Sequence, residues 1–301
     1  MTYAPITLFV YNRLDHTRRT VDSLRLNLLA QESDLVIFSD AHKLGTQSGK
    51  VAEVREYIHQ ISGFKSVTVV ERDVNFGLAK SIIDGVTKIV NEHGRIIVLE
   101  DDMVTSPHFL TYMNEALDKY ADDDRVIGIH GYIYPVKQSL PEAFFLRGAD
   151  CWGWATWRRG WAHFNPDGQY LLNELKRRKL INAFNFNGAY SFSSMLEDQI
   201  AGRNDSWAVR WHAAAFLADK LTLYPGRSLV HNIGSDNSGT HCGESSIFDS
   251  ELSNTPINLG NIPVQISETG LGAFEIFYRQ TQPVLLQRIV RKVQALLKGW
   301  L

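Results

Sequence analysis

The chain has 301 residues, 44% of them hydrophobic and 21% charged, with a formal net charge of -2. That is enough chain to bury a large core, and the composition excludes a disordered or fibrous protein. A net charge so near zero gives no general pull towards nucleic acid, so no nucleic-acid partner is expected.

The segment Ile6–Val10 reads as a first buried strand, with Tyr11, Asn12 and Arg13 at its carboxyl end. From Leu14 to Leu29 the apolar residues Val21, Leu24 and Leu28 share one helical stripe. A second strand, Asp34 to Asp40, closes on a carboxylate. A polar loop follows, then a helix from about Lys50 to Ile61 and a third strand, Val67–Glu71. Asn75 opens a helix running to about Asn91. Ile96–Leu99 is apolar and β-branched, too short for a buried helix, and reads as a strand buried on both faces. It ends in three consecutive carboxylates, Glu100, Asp101 and Asp102. A helix over Phe109–Tyr120 and a strand over Val126–His130 complete this half.

Such alternation of strand and helix predicts an α/β fold with a mostly parallel sheet flanked by helices. Arg13, Asp40, Asn75 and the acidic triplet all follow strands, on the edge where these sheets bind ligands. Carboxylates rarely follow directly on a buried strand unless a cation offsets the cost of placing them there. Hard oxygen ligands suit Mn²⁺ or Mg²⁺. The plainer reading is a solvated turn capping the next helix. No Gly-x-Gly-x-x-Gly follows the first strand and no P-loop motif occurs, which excludes two common nucleotide sites.

From Ala149 the character changes. Four of the seven tryptophans lie between Cys151 and Trp161. They are either core aromatics or, through Trp152 and Trp154, a platform for a sugar ring. Glu174–Phe186 reads as a basic surface helix, and the stretch from Asp205 to Leu217 as a mostly buried one. Leu221–Pro225 is a strand, and His231 to Cys242 a polar, glycine-containing loop. The tail, 284–301, has apolar residues at helical spacing among Arg288, Arg291, Lys292 and Lys298. It is either an amphipathic helix for an anionic membrane surface or a helix docked on the core. No apolar run approaches the ~20 residues of a membrane span. Met1 leads straight into a strand, and the two cysteines, Cys151 and Cys242, fit a reducing compartment. The expected location is cytoplasmic, at the inner face of the plasma membrane if the tail binds lipid.

These motifs resemble the GT-A glycosyltransferases, nucleotide-sugar-dependent enzymes with a Rossmann-like sheet. The branch containing the N-acetylglucosaminyltransferase I type enzymes and their bacterial relatives writes its metal motif as Glu-Asp-Asp. Gly153-Trp154, Asp205-x-Trp207 and Gly239-Thr240-His241 follow in the family's order. The resemblance implies a donor half over 1–135, an acceptor and catalytic half over 136–260, and an extension over 261–301. It implies Arg13 near uracil and phosphates, Asp40 accepting from uracil N3–H, and Asn75, Leu78 and Ser81 walling the nucleotide. Glu100 would touch the donor sugar, Asp101 the ribose or sugar, and Asp102 the Mn²⁺ or Mg²⁺. Thr240 would contact phosphate. Asp205 would be the general base, with Asp198 as its competitor, and His231 is a second candidate metal ligand.

The implied activity is transfer from a UDP-sugar to a glycan or lipid-linked acceptor, with inversion, in bacterial surface polysaccharide synthesis. Two other classes stay open at this stage. A sugar-nucleotide nucleotidyltransferase would need a Gly-rich basic loop after the first strand. A non-catalytic carbohydrate-binding protein would need no carboxylate triplet.

Overall fold

Apolar, β-branched runs become strands and amphipathic runs cover them. The computed structural model describes residues 3–43, 48–236 and 246–281. In chain order the elements are β1 (Ile6–Val10), α1 (Leu14–Arg25), β2 (Asp34–Ser39), α2 (Ser48–Ile58), β3 (Ser66–Glu71), α3 (Leu78–His93) and β4 (Arg95–Glu100). Then come β5 (Met103–Thr105), α4 (Phe109–Lys119), β6 (Val126–His130), β7 (Ala143–Arg147), β8 (Trp154–Trp157) and α5 (Arg158–Trp161). The chain continues through α6 (Gly168–Arg177), α7 (Ile181–Phe184), α8 (Phe192–Ile200), α9 (Trp207–Leu217), β9 (Leu221–Pro225), β10 (Val230–Asn232) and α10 (Glu268–Thr281).

Eight strands form one sheet in the order β3-β2-β1-β4-β8-β6-β9-β7. The pairs β1–β2, β2–β3, β1–β4 and β6–β9 are parallel. β8 is antiparallel to both β4 and β6, so β6 runs the same way as β4. β7 is antiparallel to β9 at the sheet's edge. This is the expected α/β architecture, a mostly parallel sheet flanked by helices. The carboxyl ends of β1, β2, β4, β6 and β9 therefore share one edge. β5 and β10 form a separate two-stranded ribbon beside it. The strand β6 of the first half lies between β8 and β9 of the second, so the two halves interlock within one sheet.

Several boundaries differ from the sequence reading, each for a local reason. The first helix stops at Arg25 because Asn27 is buried and its amide serves other elements. Its Nδ2 donates to Thr105 Oγ1 at 3.0 Å, and its Oδ1 accepts from Leu110 N–H at 2.9 Å. The basic helix divides into α6 and α7 at Lys179, whose φ of 58° ends the first turn sequence. β5, β7, β8, β10, α5, α8 and α10 had no counterpart in the sequence reading, and β10 takes up the start of the stretch expected as a loop from His231. Among the described residues no helix is long and apolar enough to cross a membrane. Thr240, Cys242 and the tail 284–301 lie outside the described residues.

Candidate active site

The carboxylates of the triplet stand where β4 ends, and α1 holds them. Thr20 Oγ1 donates to the Asp101 carbonyl at 2.8 Å, and Ile233 N–H to the Asp102 carbonyl at 2.9 Å. Arg13, at the end of β1, reaches across to both aspartates. Its Nη2 donates to Asp101 Oδ1 and, at 2.8 Å, to Asp102 Oδ2. Burial opposes the charge of Arg13, but Asp101 and Asp102 outweigh it and hold the guanidinium above its ordinary value. Burial, then repulsion from Asp102 and Asp101, pushes the Glu100 carboxyl up to about 8. Burial also raises Asp101, to about 6, although Arg13 pulls the other way. Among the described residues Arg13 is the cation paired with Asp101 and Asp102, and it does not stop burial and mutual repulsion from raising Glu100 and Asp101.

Asp102 carries the clearest sign of a missing partner. Its Oδ1 is buried and has no hydrogen-bond partner among the described residues. The β5–β10 ribbon brings Gly234 against the same carboxylate, where a Cβ would lie 2.2 Å from Oδ2. Only glycine leaves Asp102 its place. His231, in β10, gives Nδ1 to the Ser250 carbonyl at 3.1 Å. No group of three His, Cys, Asp or Glu side chains gathers as a ready ligand set among the described residues. Asp102 therefore fits a cation that takes its other ligands from elsewhere, as Mg²⁺ or Mn²⁺ does from substrate phosphates.

Asp40 sits at the end of β2, buried, with every acceptor position filled by the chain. Oδ1 accepts from the N–H groups of Ala41 (2.9 Å) and Phe76 (2.8 Å). Oδ2 accepts from Asn75 Nδ2 (3.1 Å) and Gly77 N–H (2.9 Å). Two of these N–H groups lie directly before α3, where a negative charge is favoured. In this arrangement Asp40 builds the turn that carries Asn75 and Leu78, and a uracil N3–H would find no open lone pair on it. Leu78 is exposed on that wall, and Ser81 is buried within α3.

The tryptophans divide. Trp154 is 2% exposed and packs against Trp161, Trp207 and Trp211, with ring centroids 5.5–5.9 Å apart. Its expected role as a sugar platform is corrected here, because no face is left for a ring to stack on. Trp152 is half-buried, set edge-on against Tyr132 and Phe248. Of the candidate bases, Asp205 is 69% exposed and meets Arg210 Nη2 at 3.3 Å. Asp198 is 47% exposed, and its Oδ1 takes Arg203 Nε at 2.8 Å and Nη2 at 2.5 Å.

The sequence reading passed over Asp150 and gave the Cys151 thiol no place in the site. Burial, then the charges of Asp150, Glu100 and Asp102, push the Cys151 thiol well above its ordinary value. The loop before β8 thus shares the electrostatic field of the triplet. No spacing rule signals this, because β7 and β8 are antiparallel insertions.

A family model described as glycosyl transferase family 2 matches residues 6–195. The chain belongs to this family. The matched segment holds the triplet and ends before Asp198 and Asp205. With the mostly parallel sheet, membership makes this a GT-A glycosyltransferase. Among solved structures, Staphylococcus aureus TarS shares 14% identity over 48% of this chain, with a TM-score of 0.32. A 1-349 form of TarS shares 11% over 49%, also at 0.32. The chain spans 24% of the first and 41% of the second. The mannosyltransferase PcManGT from Pyrobaculum calidifontis, in complex with GDP-Man and Mn2+, shares 14% over 72% of this chain and 70% of its own, with a TM-score of 0.37. No curated protein matches the chain.

Proposed function

We propose that this glycosyltransferase moves a sugar from a UDP-sugar to a hydroxyl of a glycan or lipid-linked acceptor, with inversion, using Mn²⁺ or Mg²⁺ at Asp102. The observation that carries the reading is the buried Asp102 Oδ1 at the carboxyl end of β4, which has no hydrogen-bond partner among the described residues. A bound divalent cation would neutralise charge on the nucleoside diphosphate as it leaves.

The chain's own residues do the rest. Arg13 holds Asp101 and Asp102 together and offers its charge to the phosphates. Asp40 sets the turn through which Asn75 and Leu78 wall the nucleotide, with Ser81 packed inside α3 behind them. Glu100 and Asp101 face the sugar and ribose. Asp205 takes the acceptor proton, because its one long contact to Arg210 leaves oxygen positions open, whereas one Asp198 oxygen is committed twice to Arg203. Thr240 contacts phosphate, and 284–301 meets an anionic membrane at the cytoplasmic face, where the product serves surface polysaccharide synthesis.

The test is the unfolding midpoint with a panel of nucleotides and nucleotide sugars, with and without Mn²⁺, for wild type and Asp102→Asn. Ligand at 100 times its Kd stabilises the native state by about 2.7 kcal/mol. A shift with UDP compounds that needs both Mn²⁺ and Asp102 is expected. A shift with another nucleotide would replace the donor, and none with any nucleotide would overturn the reading.

A further inference from the structure

The carboxyl edge of the sheet holds a second polar group that the donor site does not use. His130, the last residue of β6, is fully buried, and neither ring nitrogen has a hydrogen-bond partner among the described residues. A buried donor or acceptor left unmet keeps the cost of its lost hydration. The polar group facing it is Asp150, whose Oδ2 lies 3.7 Å from His130 Nε2. Tyr134 Oη donates to the same oxygen at 3.2 Å, and Cys151 N–H donates to Oδ1 at 2.8 Å. Tyr224 and Tyr132 close on the imidazole edge-to-face, at 5.0 and 6.2 Å.

The loop that carries Asp150 has one available shape. Gly148 and Gly153 bracket it at φ of +100° and +64°. A Cβ at Gly148 would lie 2.4 Å from His212, and one at Gly153 2.6 Å from Val230. Asp150 is 21% exposed in its side chain, and with Tyr134 Oη, the Cys151 N–H and the Cys151 thiol as its partners the carboxylate still keeps an acceptor position open. Trp154 pairs with Val98 of β4 and His130 of β6, both antiparallel, so the residues just before it continue past the carboxyl ends of those strands, on the edge that carries the triplet. Trp152, two residues on from Asp150, is half-buried beside it.

We propose that Asp150 is a sugar-binding residue: its carboxylate accepts from a ring hydroxyl, Trp152 lies against the ring's apolar face, and His130 is a positioning residue behind the carboxylate. The proposal rests on the reading above in taking a sugar as substrate. A hydroxyl bonded to a carboxylate is held about twice as strongly as one bonded to a neutral acceptor. Adjacent aromatic surface suits the C–H face of the same ring.

The ring belongs to either the donor or the acceptor, and the full-length protein distinguishes them. Binding of UDP, and of the UDP-sugar that wild type hydrolyses fastest, is measured by calorimetry with Mn²⁺. Binding of p-nitrophenyl glycosides is measured by saturation-transfer NMR, which needs no donor. If the ring is the donor's, Asp150→Asn weakens UDP-sugar at least tenfold and leaves UDP unchanged. If it is the acceptor's, both nucleotides hold and the glycoside weakens at least tenfold. In either case His130→Gln moves the same constant by a smaller factor. All constants within twofold of wild type would overturn the proposal. So would an equal loss of UDP and UDP-sugar with a lowered unfolding midpoint, which would make Asp150 a prop for its loop. If wild type binds no UDP compound, the donor reading fails, and the glycoside arm alone decides Asp150.

Discussion

Replacing Asp40 with alanine separates a structural carboxylate from one that reads a base. Four hydrogen bonds vanish together, from Ala41, Phe76, Asn75 and Gly77. Bonds to a charged group contribute about 1.5–3 kcal/mol each, so simple addition gives roughly 6–12 kcal/mol. That sum is too large, because bonds sharing one acceptor are not additive. The turn around Asn75 is also exposed, so freed N–H groups regain water. A net loss of about 2–4 kcal/mol remains, including the charge lost beside the start of α3. Urea unfolding should show a lowered midpoint with an unchanged slope. UDP binding should weaken with it, since the wall that carries Leu78 tilts. Stability within about 0.5 kcal/mol of wild type, the change typical of a neutral surface site, together with lost UDP binding would refute this reasoning. Asp40 would then be a direct contact.

Other outcomes follow from the same geometry. Native Glu100 keeps a proton up to about 8, whereas the unfolded chain loses it near 4.5, so the native state binds more protons in that window. Stability of the metal-free protein should therefore fall as pH rises from 4.5 to about 8, with Asp101 contributing between 3.8 and about 6. Thermal midpoints in chelator should show the slope, Glu100→Gln should flatten its upper part, and a flat wild-type profile would contradict the assignment. Gly234→Ala should push Asp102 out of place, abolishing Mn²⁺-dependent stabilisation for a folding cost of about 1–3 kcal/mol. Mn²⁺ titration of the folded variant checks it. Trp154→Ala should lose about 3–5 kcal/mol by opening the tryptophan cluster, while Trp152→Ala should alter sugar binding more than stability. For the proton acceptor, Asp205→Asn should keep donor binding and lose most turnover, and the reverse pattern with Asp198→Asn would move the role.

The legible parts of the fold were those specified by local pattern. β1, β6 and β9 match their apolar runs residue for residue, and the acidic triplet announced itself by following Ile96–Leu99. β5 and β10 are three residues each, too short for any alternation to appear, yet they carry Gly234 to Asp102. β7 and α10 depend on partners far along the chain. The tryptophan stretch read equally as core or platform because composition does not say which ring turns inward; Trp154 does and Trp152 does not. Arg13 stood out as a residue after a strand and, by resemblance, as one near the nucleotide, but its grip on two aspartates 88 and 89 positions away is tertiary. His130 and Asp150 were silent for the same reason.

The place of β8 also bears on the order in which the sheet can form. β3, β2, β1 and β4 are contiguous in sequence with their helices and can assemble as soon as residue 100 is available. β4 and β6 never touch, however, because Trp154–Trp157 must lie between them. Until that segment arrives, the apolar edge of β4 offers unpaired backbone groups to any passing strand, the hazard that exposed edges create. During synthesis the wait spans the more than fifty residues from the end of β4 to β8, and the rest of the sheet, β9 and β7, can be added only afterwards. Substitutions that loosen β8, such as at Ala155 or Thr156, would then reduce the yield of soluble protein more than they reduce the stability of molecules already folded.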